Sequence, residues 1–258
     1  MVTYNILADL YADSDYTRTV LHPYCPPYAL AIDYRIQLIL KELQGFYKIS
    51  LIIIFHSILI VWVFALLNSG YNADILCLQE VDSKVFNTYL EPTFARLGFS
   101  GVFAKKGGDV SEGMSCIFNS RKFKHVESYN YILSQELPTN SLLSDLWCTV
   151  QQNEKLKERL LKRTTACQIV VMDVIGQPKR LVVANTHLYF HPDADHIRLL
   201  QATIASRLAQ HISRTNMVII LNFLQLRSYT ELLIVWLMYN PFHIERRKRC
   251  LSLILRRL

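Results

Sequence analysis

The stretch Asn72-Ala-Asp-Ile-Leu-Cys-Leu-Gln-Glu80-Val-Asp82 constrains the fold more than any other part of the chain. An apolar run of this kind carries a chain through a core, and this one ends on a carboxylate. A metal-ligand type is thereby delivered to the lip of a sheet. Two other strand-like runs end on chemically useful groups: Val2-Thr-Tyr-Asn5 on an amide and Leu181-Val-Val-Ala-Asn-Thr-His187 on an imidazole. Sites at strand ends are common, because the strand fixes the backbone while the loop beyond is free to carry function. Taken singly, Glu80 reads equally well as an exposed residue just past a strand. His187 alone reads more readily as a hydrogen-bonded core histidine than as a ligand. The concurrence of amide, carboxylate and imidazole is what marks a site. An oxygen-rich set without a cysteine cluster suits Mg²⁺ or Mn²⁺ rather than zinc.

A chain of 258 residues, 51% of them apolar, has room for one large domain or two small ones and for a sizeable core. The six cysteines, at 25, 77, 116, 148, 167 and 250, include no C-x-x-C pair. Neither a zinc site nor a redox motif is indicated, and free buried thiols in a reducing compartment are expected. The net charge of +7 suggests nucleic acid, but seven basic and two acidic residues lie after Leu221, so the first 220 positions carry only +2. A run such as Arg246-Arg247-Lys248-Arg249 reads as a solvated tail rather than a specific binder. The opening residues already read as a strand with no secretory signal, an abrupt start that leads us to expect further sequence upstream.

Residues 28–43 read as one helix, with Ile32, Ile36, Ile39 and Leu43 on a face and Asp33 and Arg35 on others. Residues 49–67 carry no charge and one histidine, a membrane-span candidate by length and hydropathy, without a Lys/Arg cluster at either flank. From Ser83 a short amphipathic stretch is broken by Pro92 and closed at Gly98. Residues 101–104 and 114–119 read as strands around a polar turn, and residues 134–162 as a polar, helix-prone surface excursion. Strands over 165–174 and 179–185 flank the hairpin signal Gly176-Gln-Pro178. Residues 195–212 read as a helix with Ile197, Leu200, Ile204, Leu208 and Ile212 on one face, and 217–221 as one more strand. Strands alternating between hairpins and long helices imply mixed sheets with helices outside.

The motifs Tyr4-Asn-Ile-Leu-Ala-Asp9, Arg18-Thr-Val-Leu-His-Pro-Tyr-Cys25, Pro27-Tyr-Ala-Leu30, Leu78-Gln-Glu-Val-Asp82 and Ala184-Asn-Thr-His-Leu-Tyr189 resemble the endonuclease/exonuclease/phosphatase family, with its deoxyribonuclease I-like fold. The likeness covers roughly residues 2–44 and 70–220. It implies an α/β, four-layer sandwich of two facing mixed sheets flanked by helices, and Mg²⁺- or Mn²⁺-dependent hydrolysis of phosphodiesters. Residues 18–30 and 187–201 favour the branch that degrades 2′,5′-oligoadenylate or shortens polyA, so RNA or oligoadenylate is the implied substrate. No obligate protein partner is inferred. The mitochondrial matrix, or alternatively the cytoplasm, is the implied compartment.

By the same resemblance, Glu80 holds the metal, Asn5 stands beside it and His187 contacts the scissile phosphate. His191 and Pro192 approach the nucleotide, and Glu112-Gly113 belongs to a loop lining the cleft. A bound divalent cation neutralises charge building on phosphoryl oxygens. A histidine donor near those oxygens is worth roughly 10²–10³ in rate, by analogy with single oxyanion donors.

Two departures from the family stand out. Its Gly-Asp-x-Asn motif should close the strand beginning at Met217, where this chain reads Ile219-Ile220-Leu221-Asn222-Phe223. The later Asp and the terminal Ser-Asp-His segment are also absent. Asp82, Asp193 and Asp195 are possible substitutes, but each matches a non-catalytic family position. In addition, removing residues 46–70 would rejoin Leu43-Gln-Gly45 to Tyr71-Asn-Ala-Asp74 and restore a short helix-to-strand connection. We therefore expect a partial domain over 1–220, interrupted at about 46–70, and a non-family basic and apolar tail over 221–258. Intron read-through accounts for both additions better than an evolved anchor. A span there would place strands of one sheet on opposite sides of a bilayer. Activity is expected to be impaired, with two alternatives open: an inactive remnant of the fold, or a membrane-tethered protein held by residues 49–67.

Overall fold

A computed structural model describes residues 1–44, 73–213 and 217–224, the last of these in backbone only. Two four-stranded sheets face each other. The first has β1 (Val2–Asn5), β2 (Ile75–Asp82), β3 (Phe99–Lys105) and β4 (Glu112–Asn119) in the order β1-β2-β4-β3. The second has β5 (Phe123–Ile132), β6 (Ala166–Val174), β7 (Arg180–His187) and β8 (Met217–Leu224) in sequence order. Each sheet is mixed: β1 runs parallel to β2 and β7 parallel to β8, while the remaining pairs are antiparallel. The expected two-sheet α/β sandwich is borne out.

Its layers follow from side-chain alternation. Ile75, Cys77, Cys116 and Phe118 face Val170, Met172, Leu181 and Val183 between the sheets. On the outer face of the first sheet, Leu76, Leu78 and Ile117 meet Ile36, Ile39 and Leu43 of the Ile32–Gln44 helix. On the outer face of the second, Ile169, Val171 and Val182 meet Ile197, Leu200, Ile204 and Leu208 of the Asp195–Ile212 helix. Each such side chain, fully buried, contributes about 1.5–3 kcal/mol.

Several local expectations are corrected. The helix over 28–43 is two, Pro27–Leu30 and Ile32–Gln44, separated at Ala31, whose ψ of 137° is extended. Arg35 Nε donates to Leu30 O at 2.6 Å, satisfying a carbonyl that the break leaves open. Pro92 does not end the stretch: helical turns run from Ser83–Val85 through the π-helical Phe86–Leu90 into Glu91–Arg96, with the wider turn lying just before the residue that lacks an N–H. Residues 134–162 are no mere surface excursion. The helices Leu133–Thr139, Ser144–Val150 and Glu154–Leu161 bury Leu137, Leu146, Val150, Leu156 and Leu160 in the same core as the Asp195–Ile212 helix. β5 went unread because it is a largely exposed edge strand without apolar alternation.

The apolar segment 49–67 and the tail beyond 224 lie outside the described residues. Among the described residues no helix is long and apolar enough to cross a membrane.

Candidate active site

β1 ends on Asn5, and its parallel pairing sets Asn5 opposite Gln79 of β2. Both strands therefore reach the same edge of the sheet together. There β2 breaks step: Gln79 pairs with Met114 and Val81 with Gly113, leaving Glu80 as an extra residue. The bulge has a clear packing effect. Val81 joins Leu76 and Leu78 in the outer core, the place that strict alternation would give to Glu80. Glu80 adopts φ +53°, a left-handed conformation costing a non-glycine residue about 1–3 kcal/mol. Two hydrogen bonds hold it: Asn5 Nδ2 donates to Oε1 at 2.7 Å and Ala8 N to Oε2 at 3.3 Å. The loop after β1 is itself wound on Asn5, whose Oδ1 accepts from Leu7 N at 2.8 Å.

His187 is the last residue of β7, on the other sheet. Its Nδ1 lies 3.6 Å from Glu80 Oε1, with the two side chains 13% and 12% exposed. Burial, then the nearby Lys106 charge, pushes the imidazole down to about 4, against the opposing pull of Glu112. His187 is therefore neutral at physiological pH, and its approach to Glu80 is a contact rather than an ion pair. Glu80 moves upward, because burial and the Glu112 charge outweigh the stabilising Asn5 amide, Ala8 N–H and Lys106.

A second set of groups braces this pair. Glu112 is 1% exposed, and its Oε1 accepts from Tyr11 OH at 2.5 Å and from Lys106 Nζ at 2.6 Å. Burial and the Glu112 bond raise the Tyr11 hydroxyl, so it stays a donor. Asp82 accepts from Asp9 N at 2.8 Å and Ser111 Oγ at 3.1 Å. Arg35 reaches Ile6 O at 3.0 Å and Leu7 O at 2.8 Å, clamping the loop that follows β1. Beyond β7, buried Arg198 donates to His191 O at 2.6 Å and pairs with Asp195. Gln201 Oε1 accepts from Tyr189 N at 2.9 Å. Arg163 lies over the Tyr189 ring at 4.4 Å, and His191 stacks on the same ring at 6.1 Å.

Of the residues singled out from sequence, Asn5, Glu80 and His187 meet at one edge. His191 and Pro192 are exposed on the loop directly after β7. Glu112 is buried and committed to Tyr11 and Lys106. Gly113 is a packing position: a Cβ there would stand 2.1 Å from Ala104 O. Asp82 is held by the Asp9 N–H and Ser111, Asp195 pairs with Arg198, and Asp193 lies exposed on the loop beyond β7, where its N–H donates to His191 Nδ1. Sequence reading missed Tyr11, Arg35, Lys106, Gln79 and Asn185. Tyr11, Arg35 and Lys106 carry no motif signal, while Gln79 and Asn185 lie within quoted motifs whose spacing gives them no role until the two sheets face each other.

Among the described residues, no cluster of three or more His, Cys, Asp or Glu is arranged to hold an ion. The donors do suit a hydrated hard cation, which is commonly held by one or two carboxylates plus water and phosphate. Glu80 is a nearly buried carboxylate with neutral hydrogen-bond donors, and Glu112 adds negative charge nearby. β8 runs parallel to β7 and places Leu224 opposite His187 and Asn222 opposite Asn185. Its sequence, MVIILNFL, offers no carboxylate at that edge.

No family model matches the chain. Mouse 2′,5′-phosphodiesterase 12 is 37% identical over 214 residues, which is 83% of this chain and 31% of that protein. Carbon catabolite repressor protein 4 homolog 2 of Arabidopsis thaliana is 27% identical over 216 residues, 78% of this chain and 30% of that protein. The chain thus spans 30–31% of the length of these curated relatives. Among solved structures, ANGEL2, a 2′,3′-cyclic phosphatase, superposes with TM-score 0.58 at 19% identity over 86% of this chain and 50% of that one. An endonuclease/exonuclease/phosphatase from Bacteroides vulgatus does so with TM-score 0.55 at 13% identity, over 93% and 70%. Fold and edge residues together define a four-layer sandwich with a carboxylate–imidazole site where its two sheets meet. The chain belongs to the endonuclease/exonuclease/phosphatase family.

Proposed function

We propose that this chain carries part of a phosphodiesterase site acting on RNA, of the type that degrades 2′,5′-oligoadenylate or shortens polyA, with turnover impaired. The convergence of Asn5, Glu80 and His187 at one edge carries the reading. Resemblance to 2′,5′-phosphodiesterase 12 and to a CCR4-Not 3′-5′-exoribonuclease of Schizosaccharomyces pombe, 37% and 26% identical, supports the substrate class.

Each residue has a physical task. Glu80, oriented by the Asn5 amide and the Ala8 N–H, is the group that would hold Mg²⁺ or Mn²⁺. That ion, when bound, offsets charge on the phosphoryl oxygens and helps place the attacking water. His187, neutral, offers a ring N–H to a phosphate oxygen. His191 and Pro192, held by Arg198 through the His191 carbonyl, border the nucleotide. Lys106, fixed on Glu112, adds a cationic charge that acts on both Glu80 and His187.

Impairment follows from β8. The strand beside His187 supplies no carboxylate to orient or activate a nucleophile, and loss of one member of a catalytic set typically costs several orders of magnitude. The same observation favours a second reading, a fold that binds nucleotide without turning it over. Turnover of 2′-5′ triadenylate and of oligo(A) with Mg²⁺ separates them, using the chain and its Glu80→Ala variant. Slow hydrolysis lost on substitution supports the first reading. Equal background rates with measurable AMP binding support the second. Robust turnover abolished by Glu80→Ala contradicts the assigned impairment.

A further inference from the structure

Glu80 and His187 stand on different sheets, so their 3.6 Å separation depends on how the sheets are placed against each other. Most of the seam constrains that placement through packing shape alone. It is apolar, and burial of apolar surface is non-directional.

The seam turns polar in one layer, immediately beneath the site. Gln79, the residue before Glu80, and Asn185, two residues before His187, are both 0% exposed. Gln79 Nε2 donates to Asn185 Oδ1 at 2.8 Å, directly between the sheets. Asn185 Nδ2 donates to Leu78 O at 3.2 Å and to Ser115 O at 3.3 Å. One side chain of β7 is thus tied to both β2 and β4. Gln79 Nε2 also reaches Thr3 Oγ1 at 3.0 Å and Cys77 O at 2.9 Å, which extends the layer to β1. Gln168, the register partner of Asn185, donates to Val102 O of β3 at 2.8 Å. Buried amides bond only at defined angles and distances, and a fully buried polar network specifies one arrangement where apolar packing tolerates several.

We infer that the Gln79–Asn185 pair is a positioning device that sets the distance between Glu80 and His187 across the two sheets. Its geometry stands without the proposed function; its consequence for metal and phosphate binding rests on that reading. A merely structural pair would contribute stability alone, and the two roles separate in a double substitution. Removing one amide leaves the other buried and unpaired, whereas replacing both by apolar groups avoids that mismatch and loses the bonds to Leu78 O, Ser115 O, Cys77 O and Thr3 Oγ1.

The test is the full chain carrying Gln79→Met together with Asn185→Leu. The expected variant folds and melts below the parent, and its crystal structure shows the Glu80 Oε1 to His187 Nδ1 separation displaced by about 1 Å or more. Its affinity for Mn²⁺ falls about 10- to 100-fold, as for other outer-shell substitutions. An unchanged separation in the folded variant overturns the inference. A parent chain that binds no Mn²⁺ would count against the proposed function and leave the distance measurement intact. If the double variant does not fold, the unmodified chain decides. Asn185 side-chain amide protons that exchange far more slowly than those of exposed Asn153, with couplings across the hydrogen bond, support the device; equal exchange overturns it.

Discussion

Asn5 Nδ2 donates to Glu80 Oε1 at 2.7 Å across 75 positions of sequence. The bond joins an edge strand to the bulge of its neighbour, and it holds Glu80 in a left-handed conformation that the isolated backbone resists. Removing the amide leaves a nearly buried carboxylate short of its best donor. Asn5→Ala should therefore destabilise the chain by about 1–3 kcal/mol. Chemical denaturation measures the loss, and amide exchange at residues 79–81 should accelerate with it. An unchanged denaturation midpoint would contradict this role for Asn5.

Arg35 clamps the loop after β1 through Ile6 O, Leu7 O and Leu30 O. Hydrogen bonds to charged groups contribute about 1.5–3 kcal/mol each in favourable settings and are not additive. Arg35→Met keeps much of the stem and removes the donors. The expected loss is about 2–3 kcal/mol, with backbone order reduced over residues 6–9. Relaxation measurements on those amides report it.

Gly113 pairs with both Val81 and Lys105, so its Cα lies in the middle of the first sheet. A Cβ would stand 2.1 Å from Ala104 O and 2.9 Å from Lys105 Cα, both backbone atoms unable to give way cheaply. Gly113→Ala should cost about 3 kcal/mol or more. By contrast, Gly176→Ala meets nothing within 4 Å and suffers only the cost of its φ of +79°. Comparing the two melting temperatures separates steric clash from backbone strain.

Much of the architecture was legible in the chain because burial leaves periodicity behind. β2, β6, β7 and the Asp195–Ile212 helix were found close to their true bounds, and the site strands were chosen by the groups on which they end. What escaped lacked that signal. β5 is a largely exposed edge strand, its pairing partners 34 to 51 residues away in sequence and its surface polar. The bulge at Glu80 is invisible locally, since only the registers of Gln79 and Val81 against β4 reveal the extra residue. Glu112 is assigned to a cleft-lining loop only by family resemblance, and nothing in its local sequence announces its burial or its bonds to Tyr11 and Lys106. Gln79 and Asn185 sit inside apolar strands as polar interruptions whose meaning exists only once two sheets face each other.

The depressed His187 predicts a pH dependence. Its imidazole titrates near 6.5 when unfolded and at about 4 in the fold. Between these values the unfolded chain binds more protons, so stability is highest above about 6.5 and falls as pH drops toward about 4, by about 3 kcal/mol for this group. Glu80 acts in the opposite sense: its raised value means that stability falls as pH rises through it. His187→Asn should flatten the acid limb between pH 6.5 and about 4.5 in a series of denaturation midpoints taken in chelator. A limb of unchanged slope would show that other groups set it.

Titration of Mn²⁺ into the chain and its Glu80→Ala variant, followed by water-proton relaxation, tests the central claim most directly. The account predicts about one bound ion per chain, lost on substitution while the variant remains folded. Equal Mn²⁺ binding by both proteins would contradict Glu80 as the metal-holding carboxylate and the site built around it.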